Sequence, residues 1–187
     1  RWQTTRGVRM NVDSESGTRI DEVADGIYRI HTPVPPEAVP GGFSFNQYLI
    51  TADRPLLFHS GLRQLFPVVS KAIAKVIPVE SLAYVGISHL EADEAGALNH
   101  HLEAAPNAVP VCSQVGAMVS IEDLADRKPH AMADGDTLDL GGRTLRWLDA
   151  PHLPHGWDCG YMLDERSETL LCGDLFTQPG TGDEPLV

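Results

Sequence analysis

The sequence predicts an α/β domain built from layers of helix and sheet. In the first half, apolar runs of strand length alternate with helical spacing, as in the run over 81–88 and the helical pattern over 94–104. In the second half, short strands separated by turn residues indicate hairpins, one of them with Gly141-Gly142 at its turn. No internal repeat and no linker interrupts the 187 residues, so we expect one domain over 1–187.

The predicted elements follow in order along the chain. Residues 1–20 are polar and show no sustained period, which predicts a tail or an edge strand. The predicted strands cover 27–30, 43–51, 55–59, 81–88, 109–112, 137–140, 143–148, 160–164 and 169–172, and the predicted helices cover 62–77, 94–104 and 115–124. The run over 81–88 is almost continuously apolar, as expected for a strand that is covered on both faces.

Composition excludes several classes of function. A net charge of −12 repels nucleic-acid phosphates and anionic lipid heads, so we expect no nucleic-acid partner. No apolar run approaches the roughly 20 residues of a spanning helix, so we expect no membrane segment. The three cysteines are an odd number without C-x-x-C spacing, which argues against a disulfide scaffold or a zinc ribbon and favours the cytoplasm.

The most informative segment follows the strand over 81–88. His89, Glu91 and Asp93 stand two residues apart, and in extended backbone such side chains point the same way, which is the convergence a metal site needs. The alternative is a polar strand end followed by a helix, with Asp93 and Glu94 at the positive end of the helix dipole. This segment alone leaves the two interpretations about equal.

Two further segments favour the metal interpretation, because each places typical ligands after another predicted strand. His152 and His155 both follow the strand over 143–148, and their spacing leaves open which of them is the ligand. Asp174 follows the strand over 169–172, although a lone aspartate there is more often a turn former. We expect His59, at the end of the strand over 55–59, to lie near the cleft. We assign no role to the other histidines: His31 and His130 are expected in loops, and His100 and His101 on the helix after the motif.

The donor set indicates which metal is preferred. Carboxylates with few imidazoles and no thiolate suit iron or manganese better than a closed structural zinc, although zinc stays open. Cys159 and Cys172 alternate away from the motifs and are interpreted as buried small hydrophobes. Trp157 and Tyr161 either line the pocket or, as buried aromatic residues usually do, serve as packing residues. Without metal, some of the clustered acids should have raised pKa values.

The sequence resembles the metallo-β-lactamase superfamily and, within it, the flavodiiron and oxygen-binding diiron proteins. The resemblance covers roughly 26–176 and is carried by three motifs: His89-x-Glu91-x-Asp93 before an Ala-Gly-Ala-Leu helix start, His155 with Asp158 three positions later, and Gly173-Asp174. Hydrolases of the superfamily carry H-x-H-x-D-H, whereas Glu91 occupies the second position here, as in the diiron branch.

The resemblance implies a four-layer αββα sandwich with a dinuclear centre. One metal would take His89, Glu91 and His155, the second would take Asp93, and Asp174 would bridge them, with His152 beside the ligands, where it would orient one of them or a bound water or serve as an alternative ligand. Asp93 and Glu94 would carry the chemistry, the latter as an outer residue or an alternative ligand, because Glu94 stands where the family has histidine. A further family histidine lies beyond residue 187, so either a C-terminal part of the fold is missing or the second metal binds poorly.

Three functions follow from these expectations. The first is a non-haem diiron protein with two iron ions that binds or reduces O2 or a related diatomic, served by a redox partner protein and forming a homodimer. Because glycine motifs for phosphate are absent from the sequence, any flavin would come from a partner. The second is a metallo-hydrolase acting on an ester, thioester, lactone or phosphoester. The third is a non-catalytic binding module.

Overall fold

Two β-sheets and a layer of short helices form the structure, a computed structural model that describes residues 9–182. The larger sheet contains β1 (Arg9–Asn11), β2 (Arg19–Ala24), β3 (Ile27–Val34), β4 (Phe43–Ile50), β5 (Leu56–Phe58), β6 (Tyr84–Gly86), β7 (Val109–Ser113) and β8 (His130–Met132). The smaller sheet contains β9 (Thr137–Asp139), β10 (Thr144–Asp149), β11 (Gly160–Asp164) and β12 (Thr169–Leu171). The helices are α1 (Phe66–Ile73), α2 (Ala92–Ala95), α3 (Leu98–Ala104), α4 (Gln114–Gly116) and α5 (Glu122–Leu124).

The strand order of the larger sheet follows the chain, with antiparallel pairing from β1 to β5 and parallel pairing from β5 to β8. The smaller sheet is antiparallel throughout, in the order β12-β11-β10-β9. Because parallel strands end at the same edge of a sheet, the segments after β5, β6 and β7 lie side by side. This edge carries the polar residues that the sequence singled out.

Two hydrophobic clusters hold the layers together. One cluster packs α1, α3 and a π-helical turn, Ala117–Ile121, against the outer face of the larger sheet. The other lies between the sheets and is centred on Trp147, which is fully buried. The described residues therefore form a helix layer and two sheet layers, which are three of the four layers that the sequence predicts.

Several element boundaries differ from the prediction. The helix predicted over 62–77 is confined to Phe66–Ile73, because Pro67 in its first turn fixes the start and a 3₁₀ turn precedes it. The helix predicted over 115–124 is divided by the π-helical turn. Residues 19–24 form β2, although the sequence placed 1–20 in a tail or an edge strand and assigned no element to 21–24; β8 was not predicted either. Residues 9–11 form an edge strand, and residues 1–8 lie outside the described part of the chain.

The failure to predict strand β2 from the sequence has a physical explanation. Arg19 and Asp21 lie on one face of β2 and are buried, with a distance of 3.1 Å between Nε of Arg19 and Oδ2 of Asp21. Arg29 on β3 contacts the same carboxylate at 3.4 Å. Because these ion pairs compensate the buried charges, Arg19 and Asp21 occupy buried strand positions that are usually apolar, and the strand therefore lacks the apolar pattern by which a strand is predicted.

Two expectations about the whole chain concern membranes and thiols. Within residues 9–182, every helix is too short or too polar to cross a bilayer. Cys112, Cys159 and Cys172 are free thiols. Cys112 and Cys159 are buried, as expected for small hydrophobes, whereas Cys172 is only partly buried.

Candidate metal centre

The segment after β6 delivers the first ligands to the sheet edge. Ser88 and His89 are buried and form a bend just beyond the strand, and Glu91 is extended (φ −136°, ψ 172°) before α2 begins at Ala92. Glu91 therefore has the predicted extended backbone, whereas His89 lies in a bend, so the prediction of one extended run was wrong at His89. The prediction was also wrong at Asp93, because Asp93 occupies the first turn of α2. Asp93 and Glu94 are the acidic residues of this first turn, where the helix dipole favours negative charge.

Four side chains from three chain segments converge on one point. His89, Glu91, His155 and Asp174 each offer one ligand atom, and these atoms lie within 4.8 Å of one another. Nδ1 of His155 lies 3.3 Å from Oε1 of Glu91, and Nε2 of His155 lies 3.7 Å from Oδ2 of Asp174. Oδ2 of Asp174 also lies 3.8 Å from Nε2 of His89. The three motifs that are separate in the sequence thus meet at one site.

A second group lies beside the first and consists of carboxylates alone. Glu91, Asp93 and Glu94 bring one oxygen each within 4.8 Å of the others. Glu91 is the residue common to both groups, whereas the resemblance assigns the bridging position to Asp174, and that assignment stays a prediction. Glu94 is 2% exposed, and burial together with its hydrogen bond to Asp93 raises the pKa of Glu94 to about 9.

The donor set fits metal ions. Two ligands of one ion at about 2.1 Å are at most about 4.2 Å apart, so atoms gathered within 4.8 Å need to approach one another by no more than about 0.6 Å to share one ion. Nε2 of His89 and Oε2 of Glu94 are buried, and neither has a hydrogen-bond partner within the described part of the chain. They lie 3.9 Å apart. Orphaned buried atoms of this kind are costly unless a ligand satisfies them, and cations held by the two ligand groups would do so.

The loop after β10 is held in place by three hydrogen bonds that the sequence did not reveal. The carbonyl oxygen of Leu153 accepts from the Tyr161 hydroxyl at 2.7 Å and from the Cys159 thiol at 3.0 Å. Oδ2 of Asp158 accepts from the backbone N–H of Leu90 at 3.0 Å, which joins this loop to the segment of His89. The loop thereby presents His155 to the centre. Asp158 was part of the predicted motif, whereas Tyr161 was expected to line the pocket or to pack, and its hydrogen bond to Leu153 was not predicted.

The structure also places the remaining histidines. His152 is exposed and lies outside both ligand groups, so the geometry supports His155 as the ligand. His59 lies near the cleft as predicted, with Nδ1 3.9 Å from Oε1 of Glu94. His31, expected in a loop, is fully buried on β3 and contacts Asn46. His101 is buried against the Ser60 carbonyl, where it has a structural role.

A cavity of about 410 Å³ opens beside the centre. Asp93, Glu94 and Asp174 line one end of it. Four exposed apolar side chains stand on the loops that carry the ligands, and we call them the apolar rim: Leu90, Leu153, Trp157 and Phe176. Trp157 is 63% exposed, so its interpretation as a packing residue was wrong. The ligands His155 and Glu91 are themselves about half exposed, so the centre is open to solvent.

Imidazoles and carboxylates at one end of two stacked sheets define a metalloprotein of the metallo-β-lactamase fold. Comparison with known families makes this specific: residues 43–186 match the family model described as "ODP family beta lactamase". The chain belongs to this family. The fold predicted from the sequence, an α/β sandwich of this type, is confirmed.

Individual relatives agree with this assignment. The chain is 31% identical over 143 residues to a rubredoxin-oxygen oxidoreductase of Megalodesulfovibrio gigas, a match that covers 74% of this chain and 35% of that protein. It is 32% identical over 145 residues to a flavo-diiron protein, FprA2, of Clostridium acetobutylicum, which covers 74% of this chain and 36% of that protein. Among solved structures, the metal-soaked Flv1 flavodiiron core from Synechocystis superposes with a TM-score of 0.78 at 27% identity, covering 89% of this chain and 44% of that chain. The chain thus spans about a third of the first two relatives.

Proposed function

We propose that this chain is the metal-binding domain of a flavodiiron-type protein that binds two iron ions and reduces O2 or a related diatomic. The observation that carries the proposal is Glu91, a carboxylate shared by both ligand groups at the position where hydrolases of the fold carry histidine. Carboxylate oxygens favour iron over zinc at such a centre. The similarity to a rubredoxin-oxygen oxidoreductase and to a flavo-diiron protein supports the same function.

The residues have distinct roles in this proposal. His89, Glu91, His155 and Asp174 would hold one ion, and Glu91, Asp93 and Glu94 would hold the other. Two bound iron ions would supply one-electron redox chemistry and open coordination positions for a diatomic. Glu94 retains a proton at neutral pH in the metal-free protein, since its pKa is raised to about 9, and binding of cations would displace that proton.

A partner must deliver electrons to such a centre. The apolar rim stands around the exposed side of the site, where three of its members are more than half exposed, namely Leu153, Trp157 and Phe176. Exposed apolar side chains grouped around an active centre are typical of a protein interface. We propose that a redox partner or a second copy of the chain docks there, so that a flavin approaches the metals. A single domain over 1–187 and a cytoplasmic location remain predictions.

The proposal is tested by loading the protein with Fe(II) under anaerobic conditions. We expect about two iron per chain and O2 consumption when reduced rubredoxin with a flavoprotein, or a chemical reductant, supplies electrons. The matched control is Glu91→His, which restores the histidine of the hydrolase motif and is expected to lower iron retention relative to zinc. Zinc binding alone, with turnover of an ester or phosphodiester panel, would instead establish the hydrolase. Less than one metal per chain would indicate a binding module.

A further inference from the structure

Three buried side chains form a line of hydrogen bonds behind the centre. Nε2 of His59 lies 2.8 Å from Oγ of Ser88, and the same Oγ lies 2.8 Å from Nδ1 of His89. Ser88 is 0% exposed, and the two imidazoles are 5% and 3% exposed. Nδ1 at the far side of His59 faces Oε1 of Glu94 at 3.9 Å. The line therefore begins and ends at residues of the metal centre, and we call it the His–Ser–His line.

The serine hydroxyl forces both hydrogen bonds to run in one direction. A hydroxyl has a single proton to donate, and each neutral imidazole has one donor and one acceptor nitrogen. If Ser88 donates to one ring, the other ring must donate to Ser88; if both rings donated, the serine proton would have no acceptor among its hydrogen bonds to the described residues. His59 is buried with Nδ1 facing the Glu94 carboxyl, so its Nε2 is able to accept from Ser88 when the ring proton is on Nδ1.

Metal binding would select one of the two directions. Nε2 of His89 is the nitrogen that faces Glu94 and Asp174, so it is the nitrogen that reaches an ion. A ligating nitrogen carries no proton, and the proton of His89 must then be on Nδ1 and donate to Ser88. Ser88 in turn donates to His59, whose remaining proton lies on Nδ1 and points to the Glu94 carboxylate.

The turn that carries Asp174 also packs closely against Ser88 of this line. Gly173 has a φ of +51°, and a Cβ atom at this position would lie 2.9 Å from Oγ of Ser88. Only glycine allows the backbone to pass this close to the hydroxyl. Ser88 thus contacts the backbone beside one ligand and the ring of another.

We propose that Ser88 and His59 are positioning residues that hold His89 in the tautomer and orientation required for binding metal. The inference rests on the proposed metal centre but concerns two residues outside the ligand set. A serine that served only to fill space would be replaced by alanine without consequence for the metal. A serine that fixes the proton of His89 would not, because loss of such an outer hydrogen bond typically weakens metal affinity about 10-fold to 100-fold.

The test measures zinc affinity and the histidine tautomers of the full chain. Zinc is used because it is diamagnetic, and its affinity is measured by competition with a chromophoric chelator. We expect Ser88→Ala and His59→Leu to weaken zinc binding about 10-fold to 100-fold, whereas His59→Gln, whose amide can accept from Ser88, retains most of the affinity. The control is Ser167→Ala, which removes a hydrogen-bonded serine in the turn between β11 and β12. Nitrogen-15 spectra of the zinc-loaded wild type should show the imidazole protons of His59 and His89 on Nδ1.

The outcomes separate this inference from the proposed function. If the wild type binds no metal, the proposed function and the inference both fail. If it binds zinc but carries the proton of His89 on Nε2, or if Ser88→Ala and His59→Leu bind zinc as tightly as the wild type, only the inference fails. Should Ser88→Ala not fold, as judged by circular dichroism, the His59 pair and the wild-type spectrum still decide the question.

Discussion

Replacement of Glu94 by glutamine is expected to stabilise the metal-free protein at neutral pH. Glu94 is 2% exposed, and burial followed by its interaction with Asp93 raises its pKa to about 9 from a model-peptide value of 4.5. The folded protein therefore keeps a proton on Glu94 at a pH where the unfolded chain has lost it. Glutamine is neutral in both states and avoids this cost.

The size of the effect follows from proton linkage. Below pH 4.5 the folded and the unfolded protein both hold the proton of Glu94, so this group does not affect stability. Between pH 4.5 and about 9 the folded protein holds more protons than the unfolded chain, so the free energy of unfolding falls as the pH rises. At about pH 7 the interval from 4.5 is about 2.5 pH units, and at about 1.36 kcal/mol per unit the cost is about 3 kcal/mol. Glu94→Gln should remove most of it, which is a rise of roughly 6–12 °C in Tm for a domain of this size.

The measurement is denaturant unfolding of chelator-treated protein between about pH 5 and about pH 8. Wild-type stability should fall across this range, and Glu94→Gln should be flatter and more stable at the upper end. The control is Glu91→Gln: the Glu91 side chain is 47% exposed, so the same change removes no buried group. If Glu94→Gln is no more stable than the wild type at about pH 7, the account of a neutral buried carboxyl is wrong. With metal bound the sign should reverse, because glutamine is a weaker ligand than a carboxylate.

Three further substitutions have expected outcomes. Tyr161→Phe removes the hydrogen bond to the Leu153 carbonyl. We expect the free energy of unfolding to fall by about 1 kcal/mol and the zinc affinity, measured by competition with a chelator, to be weaker. An unchanged zinc affinity would show that the position of the loop does not depend on the Tyr161 hydroxyl. Arg127→Ala removes donors to the carbonyls of Leu102, Ala105 and Ala108, and should cost about 2–4 kcal/mol in urea unfolding while leaving metal affinity unchanged. Trp147→Ala should cost about 3–5 kcal/mol in the same measurement, because the side chain is fully buried between the sheets; a loss below about 1 kcal/mol would contradict that burial.

Much of the fold could be predicted from the sequence because apolar periodicity reports directly on burial. The strands and helices from β3 to β12 have this pattern, and all but β8 were found, with shifted boundaries. The pattern fails where ion pairs replace apolar side chains, as with Arg19 and Asp21 on β2. Apolar periodicity also does not indicate where an α-helix changes to a π-helix, as it does at Ala117–Ile121.

The candidate centre was predicted because its residue types and their positions after strands are local features of the sequence. His89, Glu91, His155 and Asp174 come together in the structure as the motifs indicated. The supporting contacts were not predictable, because a hydrogen bond between residues far apart leaves no periodic signal. The contact of Ser88 with His59 spans 29 positions, and that of Asp158 with Leu90 spans 68 positions. The start of α2 was also missed, and Asp93 therefore lies on a helix.

The most direct test is a crystal structure of the iron-loaded protein with anomalous data collected on both sides of the iron edge. We expect one iron peak among His89, Glu91, His155 and Asp174, and a second beside Asp93 and Glu94, with His152 turned away from both. Peaks that lie elsewhere, or a loaded crystal in which His89 and Glu91 make no contact with metal, would contradict the metal centre described above.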